Sequence, residues 1–158
     1  MTARFTRADA GQAPLLASIA RCAFDPAYGE SWSSTQLTGT LSQTGTWAEL
    51  ASLGGKPAAF SLARIAADEA ELLLVATLPH ARRMNLGRAL LQRVSLAAQA
   101  RGAVFLHLEV RRSNKAALAL YRSCGLSQIG ERKAYYRGVD GRSHDAVTMQ
   151  AALPLTSS

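Results

Sequence analysis

Three places in this chain hold side chains whose types and spacing could do chemistry. The first is the basic turn Arg82-Arg83-Met84-Asn85-Leu86-Gly87-Arg88, which follows an apolar run over residues 72–78 and the stop at Pro79. From there, apolar positions recur at Leu86, Ala89, Leu90, Val94, Ala97 and Ala98, the spacing of one helix face. A turn that opens a helix aims backbone N–H groups outward, and arginines beside them make a site for an anion. Phosphate or pyrophosphate is the natural occupant; the plainer alternative is a solvated basic turn. The second place is Glu109, near the C-terminal end of another strand-like run. Sites in parallel sheets form outside that end, where neighbouring strands part, although a carboxylate there can also simply pair with an arginine. The third is Tyr121, on a stripe with Ala117, Leu118 and Cys124 whose helical spacing equally suits plain core packing.

These residues need elements to hold them. Residues 72–78 read as a strand buried on both faces, ended by a proline that cannot donate to a ladder. The helix after Gly87 stops at Arg101-Gly102, a basic residue followed by glycine. Residues 104–110 alternate, with Val104, Leu106, Leu108 and Val110 on one face and Phe105, His107 and Glu109 on the other. Strand, helix and strand form a crossover unit, so the two strands should run parallel. Asn114 or Ser113 caps the helix carrying Tyr121, and Gly125 ends it. Upstream, a short strand around Phe5 leads to a helix capped by Asp9, with Leu15, Leu16, Ile19, Ala20 and Ala23 inward. Residues 24–29 break the pattern. Ser33 or Ser34 then caps a weaker helix to about residue 43. Residues 47–53 and 58–67 are strands joined by Gly54-Gly55. Residues 127–136 and 145–151 make a closing hairpin, and the tail after Pro154 is expected to fray.

The totals suit one domain over residues 1–153, with a short tail at 154–158. Apolar residues make up 48% and charged ones 18% of the 158, enough for a sizeable core. No run reaches membrane-spanning length, and the N-terminus lacks the apolar region of a secretory signal. Cys22 and Cys124 have neither metal-site spacing nor a disulfide framework, so no metal is expected and a reduced cytoplasmic setting is the default. A net charge of +7 invites a nucleic-acid reading. The arginines, however, are spread along the chain without interleaved aromatics, and three of them already belong to the anion turn.

The spacing Arg82-x-x-Asn85-x-Gly87 resembles the acyl-CoA signature of the GNAT N-acetyltransferases, with Asn85 where that family usually has glycine. Asparagine is the non-glycine residue that best tolerates positive φ, so the turn can still form. The order β-α-α-β-β-β-α-β-α-β-β is also that of the family, and the resemblance covers essentially the whole chain. Within the family, Leu108-Glu109-Val110-Arg111, Ser113-Asn114, Ala119-Leu120-Tyr121-x-Ser123-x-Gly125, Arg132-Lys133-x-Tyr135-Tyr136 and Asp145-Ala146-x-x-Met149 are similar in register to the ribosomal-protein-alanine N-acetyltransferases, the RimI family.

The resemblance implies an α/β GNAT fold, a mixed central sheet of about seven strands flanked by about four helices. It implies transfer of an acetyl group from acetyl-CoA to the α-amino group of a protein N-terminus, of ribosomal-protein type, by direct attack. Glu109 would be the general base and Tyr121 the acid that protonates the departing thiolate. Arg82, Arg83, Met84, Asn85, Leu86, Gly87 and Arg88 would cradle the pyrophosphate, and Val75, Ala76 and Thr77 would offer backbone groups to the pantetheine arm. Asn114 would both cap its helix and touch the cofactor. Trp32, Tyr135 and Tyr136 would line the acceptor groove, and strand alternation lets only one of the two tyrosines face the substrate. Leu78, Ala134, His144 and Leu126 depart from the family pattern, the first three on the acceptor side. Neither a membrane nor a specific nucleic acid is an expected partner. The rival readings are a small-molecule amine or lysine acceptor, a CoA-binding module with little catalysis, and a basic RNA- or ribosome-binding protein.

Overall fold

The computed structural model describes residues 2–156. Its strands are β1 (Ala3–Ala8), β2 (Thr46–Leu53), β3 (Lys56–Ala66), β4 (Glu69–Thr77), β5 (Phe105–Arg111), β6 (Ser127–Arg137) and β7 (Ser143–Ala152). The helices are α1 (Ala13–Ala23), α2 (Ser34–Leu41), α3 (Leu86–Ala100) and α4 (Lys115–Ser123). The strands form one sheet in the order β1-β2-β3-β4-β5-β7-β6. Among the described residues only the β4–β5 pair is parallel, as the intervening α3 crossover requires.

Local chemistry explains most boundaries. Ser33 caps α2 by accepting the Gln36 N–H at 3.1 Å, while the Gln36 side chain accepts the Ser33 N–H at 2.8 Å. This reciprocal pair satisfies two donors that a helix start leaves open. Asp9 does the same one step earlier than expected, capping a 3-10 turn at Ala10–Gln12 that runs into α1. Gly54 and Gly55, at φ +57° and +79°, make the two-residue turn that joins β2 to β3 without splaying them. Among the described residues three apolar clusters form the core: in the smallest, Leu86 and Leu90 of α3 pack on Ala51, Ala58 and Ala59, and two larger ones hold the four helices to the sheet. In one, Leu16, Ile19 and Leu37 of α1 and α2 pack on Phe60, Leu62 and Leu74. In the other, Val94, Ala98, Leu118 and Tyr121 of α3 and α4 pack on Leu72, Leu106, Leu108 and Met149.

Three expectations change. First, β4 is not buried on both faces: Ala70, Leu72, Leu74 and Ala76 are buried, but Leu73, Val75 and Thr77 are only partly covered, because they border a cleft. Second, Val104 precedes β5 and is 47% exposed. Its N–H reaches back to the Asp68 carbonyl at 2.7 Å, so the ladder starts one residue later than alternation suggested. Third, the tail is docked as far as Thr156. The Leu155 N–H donates to Ser95 Oγ at 3.1 Å and the Thr156 N–H to the Cys124 carbonyl at 3.1 Å. Gly125, at φ +94°, both ends α4 and makes room for this: a Cβ there would lie 2.6 Å from Thr156 Oγ1. The remaining tail positions, 157 and 158, lie outside the described residues.

Candidate active site

The site begins where two parallel strands separate. β4 and β5 pair from Glu69↔Phe105 to Leu72↔Leu108 and no further. On the other side of β4, Leu62 pairs with Leu74 and Ala63 with Leu72, so Leu73 is an extra residue in the ladder. Such a bulge bends its strand, and here it coincides with the end of the β4–β5 pairing. Past it, the β5 side of residues 73–77 faces open space instead of a strand. The sequence carries no sign of this bulge, since leucines run through it.

Two clefts meet at the fork. One, of about 850 Å³, lies between the start of α3, the α4 helix and the segment after α1. Its walls include Val75, Ala76, Thr77, Arg82, Arg83, Asn85, Leu86, Gly87, Arg88 and Asn114, all of them residues expected at the cofactor. Asn85 sits at φ +59° and Arg83 at φ +66°, so asparagine does supply the left-handed turn in place of glycine. The Ala89 N–H enters the α3 ladder by donating to the Asn85 carbonyl at 3.0 Å. The N–H groups of Leu86, Gly87 and Arg88 precede that ladder and carry the positive end of the helix dipole. Met84 does not join them; it is 44% exposed and outside the cleft wall. Two arginines have partners within the protein. Arg82 donates to the Ala23 carbonyl at 2.6 Å, and Arg88 donates to Ser123 Oγ at 2.7 Å. These bonds tie the turn to the ends of α1 and α4 and hold its N–H groups toward the cleft. A phosphate-bearing cofactor fits this set: an elongated space, a helix start and an excess of guanidinium groups.

The second cleft, about 540 Å³, is lined by Trp32, Tyr135, Tyr136, Glu109 and Tyr121, together with Glu30 and Glu71. The two clefts share Phe24, Glu30, Val75, Thr77, Gly87 and Asn114 as walls, so they open into each other. Asn114 accepts the Ala117 N–H at 3.1 Å, which makes it the cap of α4 as well as part of the wall.

Glu109 lies on β5 beyond the last β4 pair, with its side chain 8% exposed. Both carboxylate oxygens are engaged. Thr148 Oγ1 donates to Oε2 at 2.6 Å, and Arg132 Nε lies 3.2 Å from Oε1. Thus the arginine pairing that offered the plainer reading exists, and the same carboxylate also faces the cleft. Tyr121 is almost fully buried yet borders both this groove and the base of α4. Burial, reinforced by the negative charge of Glu30, pushes its phenol well above the ordinary tyrosine range, so it remains a proton donor.

Tyr135 and Tyr136 correct the strand-alternation argument. Both line the same groove and their rings meet edge to face with centroids 4.9 Å apart. The cause is a bulge between Arg132 and Tyr136 in the β6–β7 ladder. Ala134 takes φ +54° there, and its N–H donates to Asp145 Oδ1 at 2.9 Å. Alternation fails across a bulge, so the two rings turn the same way. The Tyr136 hydroxyl donates to the Glu109 carbonyl at 3.2 Å.

Sequence reasoning missed the segment that separates the clefts. Residues 25–31 cross the site as a strap. Asp25 caps a turn at Pro26–Tyr28, and Glu30 pairs with Arg111 at 3.2 Å. The Arg111 guanidinium in turn stacks 3.6 Å from the Tyr28 ring centre. Gly29 and Gly138 allow the strap to lie against the β6–β7 turn. A Cβ at either would fall 1.9 Å from a backbone oxygen, of Arg137 and Ala27 respectively. The only signal available in the sequence was the Pro-Gly interruption itself.

A seven-stranded mixed sheet that forks between its parallel strands, with a helix start at one side of the fork and a carboxylate at the other, defines an acyltransferase architecture. The sequence matches the Acetyltransferase (GNAT) family over residues 13–126, and the chain belongs to that family. Over 102 residues, 65% of this chain and 67% of the relative, it is 45% identical to the [Ribosomal protein bS18]-alanine N-acetyltransferase of Escherichia coli. Over 66 residues, 42% of this chain and 38% of the relative, it is 52% identical to the N-alpha-acetyltransferase RimI of Mycobacterium tuberculosis. Its fold superposes on the crystal structure of the ribosomal-protein-S18-alanine N-acetyltransferase from Escherichia coli with a TM-score of 0.84 and 30% identity, covering 99% of this chain and 97% of that one.

Proposed function

We propose that this protein transfers the acetyl group of acetyl-CoA to the α-amino group of a protein N-terminus, with the terminal alanine of a ribosomal protein as the acceptor its relatives indicate. On this reading it works in the cytoplasm. The observation that carries the reaction is the junction of the two clefts. A helix-start cleft suited to pyrophosphate opens directly into a groove holding Glu109 and Tyr121.

Acetyl-CoA supplies an activated acyl carbon and a thiolate leaving group. The chain does the rest. The backbone of residues 73–77, unpaired on its β5 side, offers N–H groups to an oxygen on which negative charge develops, usually the largest single catalytic contribution. Glu109 takes the proton from the acceptor nitrogen as the N–C bond forms. Tyr121 gives its proton to sulfur as the C–S bond breaks. An α-amino group titrates near 7.7–8.0, so roughly a tenth of it is already neutral at pH 7, whereas lysine at about 10.4 is almost wholly charged. A carboxylate base therefore suits an N-terminal amine better than a side-chain amine.

The test is competition between acceptors. With acetyl-CoA held constant, a peptide with a free N-terminal alanine and an internal lysine is compared with the same peptide blocked at its N-terminus, and with a polyamine. The proposal expects acetylation of the free peptide alone. Preferential acetylation of the blocked peptide or the polyamine would replace it with the lysine or small-molecule reading.

A further inference from the structure

Glu109 is held from two sides by partners of different character. Thr148 stands directly across from it in the β5–β7 register. Its hydroxyl is partly buried within the sheet and donates to Oε2 at 2.6 Å. Arg132 reaches Oε1 from the edge strand β6 with a side chain that is 61% exposed. A short β-branched side chain on a central strand has one or two rotamers; a long solvated arginine has many. One partner is therefore fixed and the other is exchangeable. Gly130 lies opposite Thr148 on the β6 side, where a Cβ would come 3.9 Å from Thr148 Cβ, so no bulky side chain there presses on the threonine.

We infer that Thr148 is a positioning residue for the base: it pins Oε2 of Glu109 and so leaves Oε1 as the atom that meets the acceptor amine. Arg132 is the resting partner of Oε1, and the incoming amine takes its place. The carboxylate then accepts the proton at Oε1 without first rotating, because the bond from Thr148 has already fixed its plane. A hydrogen bond to a charged group is among the stronger ones in proteins, which makes this constraint worth measuring. Nothing in the strand pattern singles out position 148; only the register of β7 against β5 brings it to the site.

The inference rests on the N-terminal acetylation proposed above, and the experiment separates the two. Steady-state kinetics are measured for the wild type, Thr148→Val and Thr148→Ser with an N-terminal alanine peptide and acetyl-CoA, alongside thermal melts. Thr148→Val is expected to lower kcat on the order of 10-fold, with both KM values within about twofold. Thr148→Ser, which restores the hydroxyl, is expected to recover most of the loss. A Thr148→Val enzyme with wild-type kcat overturns the inference. So does a loss of kcat that Thr148→Ser fails to restore although it melts like the wild type. A wild type idle on every N-terminal peptide overturns the functional reading and this inference together.

Discussion

Glu109 and Tyr121 divide the work of one proton moving in and one moving out, and their surroundings suit those opposite tasks. The carboxylate is held by a hydroxyl and a guanidinium, which fix where its two oxygens point. The phenol is sealed among apolar side chains beside the charge of Glu30, both of which favour its neutral form. Replacing Glu109 by glutamine keeps the shape and removes the basicity, so kcat should fall by about 10²–10⁴ with little change in acetyl-CoA affinity. Full activity in that variant at pH 7 would remove the base assignment without touching the fold. For Tyr121 the raised phenol fixes the sign of the pH dependence. The rate should rise as the acceptor amine loses its proton near pH 8, then stay level past the ordinary phenol value of about 10. A decline setting in near pH 9 in the wild type, and absent in Tyr121→Phe, would show that the phenol ionises too early to serve as the donor.

At the level of elements, the site is made by departures from regularity. The Leu73 bulge parts β4 from β5, the Ala134 bulge turns two tyrosines inward, and the glycine-flanked strap divides the space into two clefts. The regular parts were legible in the sequence. The crossover from β4 through α3 to β5 follows from an apolar run, a proline and a helical stripe, and the side chains narrow two helix caps to a pair of candidates each, of which the structure uses Ser33 and Asn114. The tolerance of asparagine for positive φ accords with the φ +59° that Asn85 adopts. The bulges were not legible because each is a slip of register between neighbouring paired strands, which period and propensity do not encode. The Glu30–Arg111 bond spans 81 residues, and the Thr148–Glu109 bond depends on a register set elsewhere in the sheet. The strap offers a direct test. Gly29→Ala would place a methyl group 1.9 Å from the Arg137 carbonyl oxygen, at φ +67°. It should raise the KM for the acceptor peptide several-fold and lower stability by about 2 kcal/mol or more. Wild-type kinetics and melting in Gly29→Ala would mean that the strap moves freely off the β6–β7 turn.

Over the whole molecule, charge is unevenly placed. The chain carries a net +7, yet the acceptor groove is walled by Glu71 and Glu109, with Glu30 at the boundary of the two clefts, while guanidinium groups gather at the cofactor cleft. A polyanion and a cationic amine are thus drawn to opposite sides of one fork. Burial raises both Tyr121 and Tyr136 above the usual phenol range, which has a consequence for stability. The unfolded chain would ionise these phenols near pH 10, whereas the folded chain keeps them neutral. Their contribution is complete below about pH 10 and is lost as pH rises toward their folded values. The melting temperature should therefore fall between about pH 10 and 11, and fall less in Tyr136→Phe; identical profiles for the two proteins would argue against that burial.

The most direct measurement is a crystal structure of the protein with acetyl-CoA bound. The pyrophosphate should rest on the N–H groups of residues 86–88, with the arm along residues 73–77 and the thioester between Glu109 and Tyr121. A thioester lying elsewhere, or one from which both side chains face away, would contradict the account and leave a member of the family whose chemistry is done by other residues.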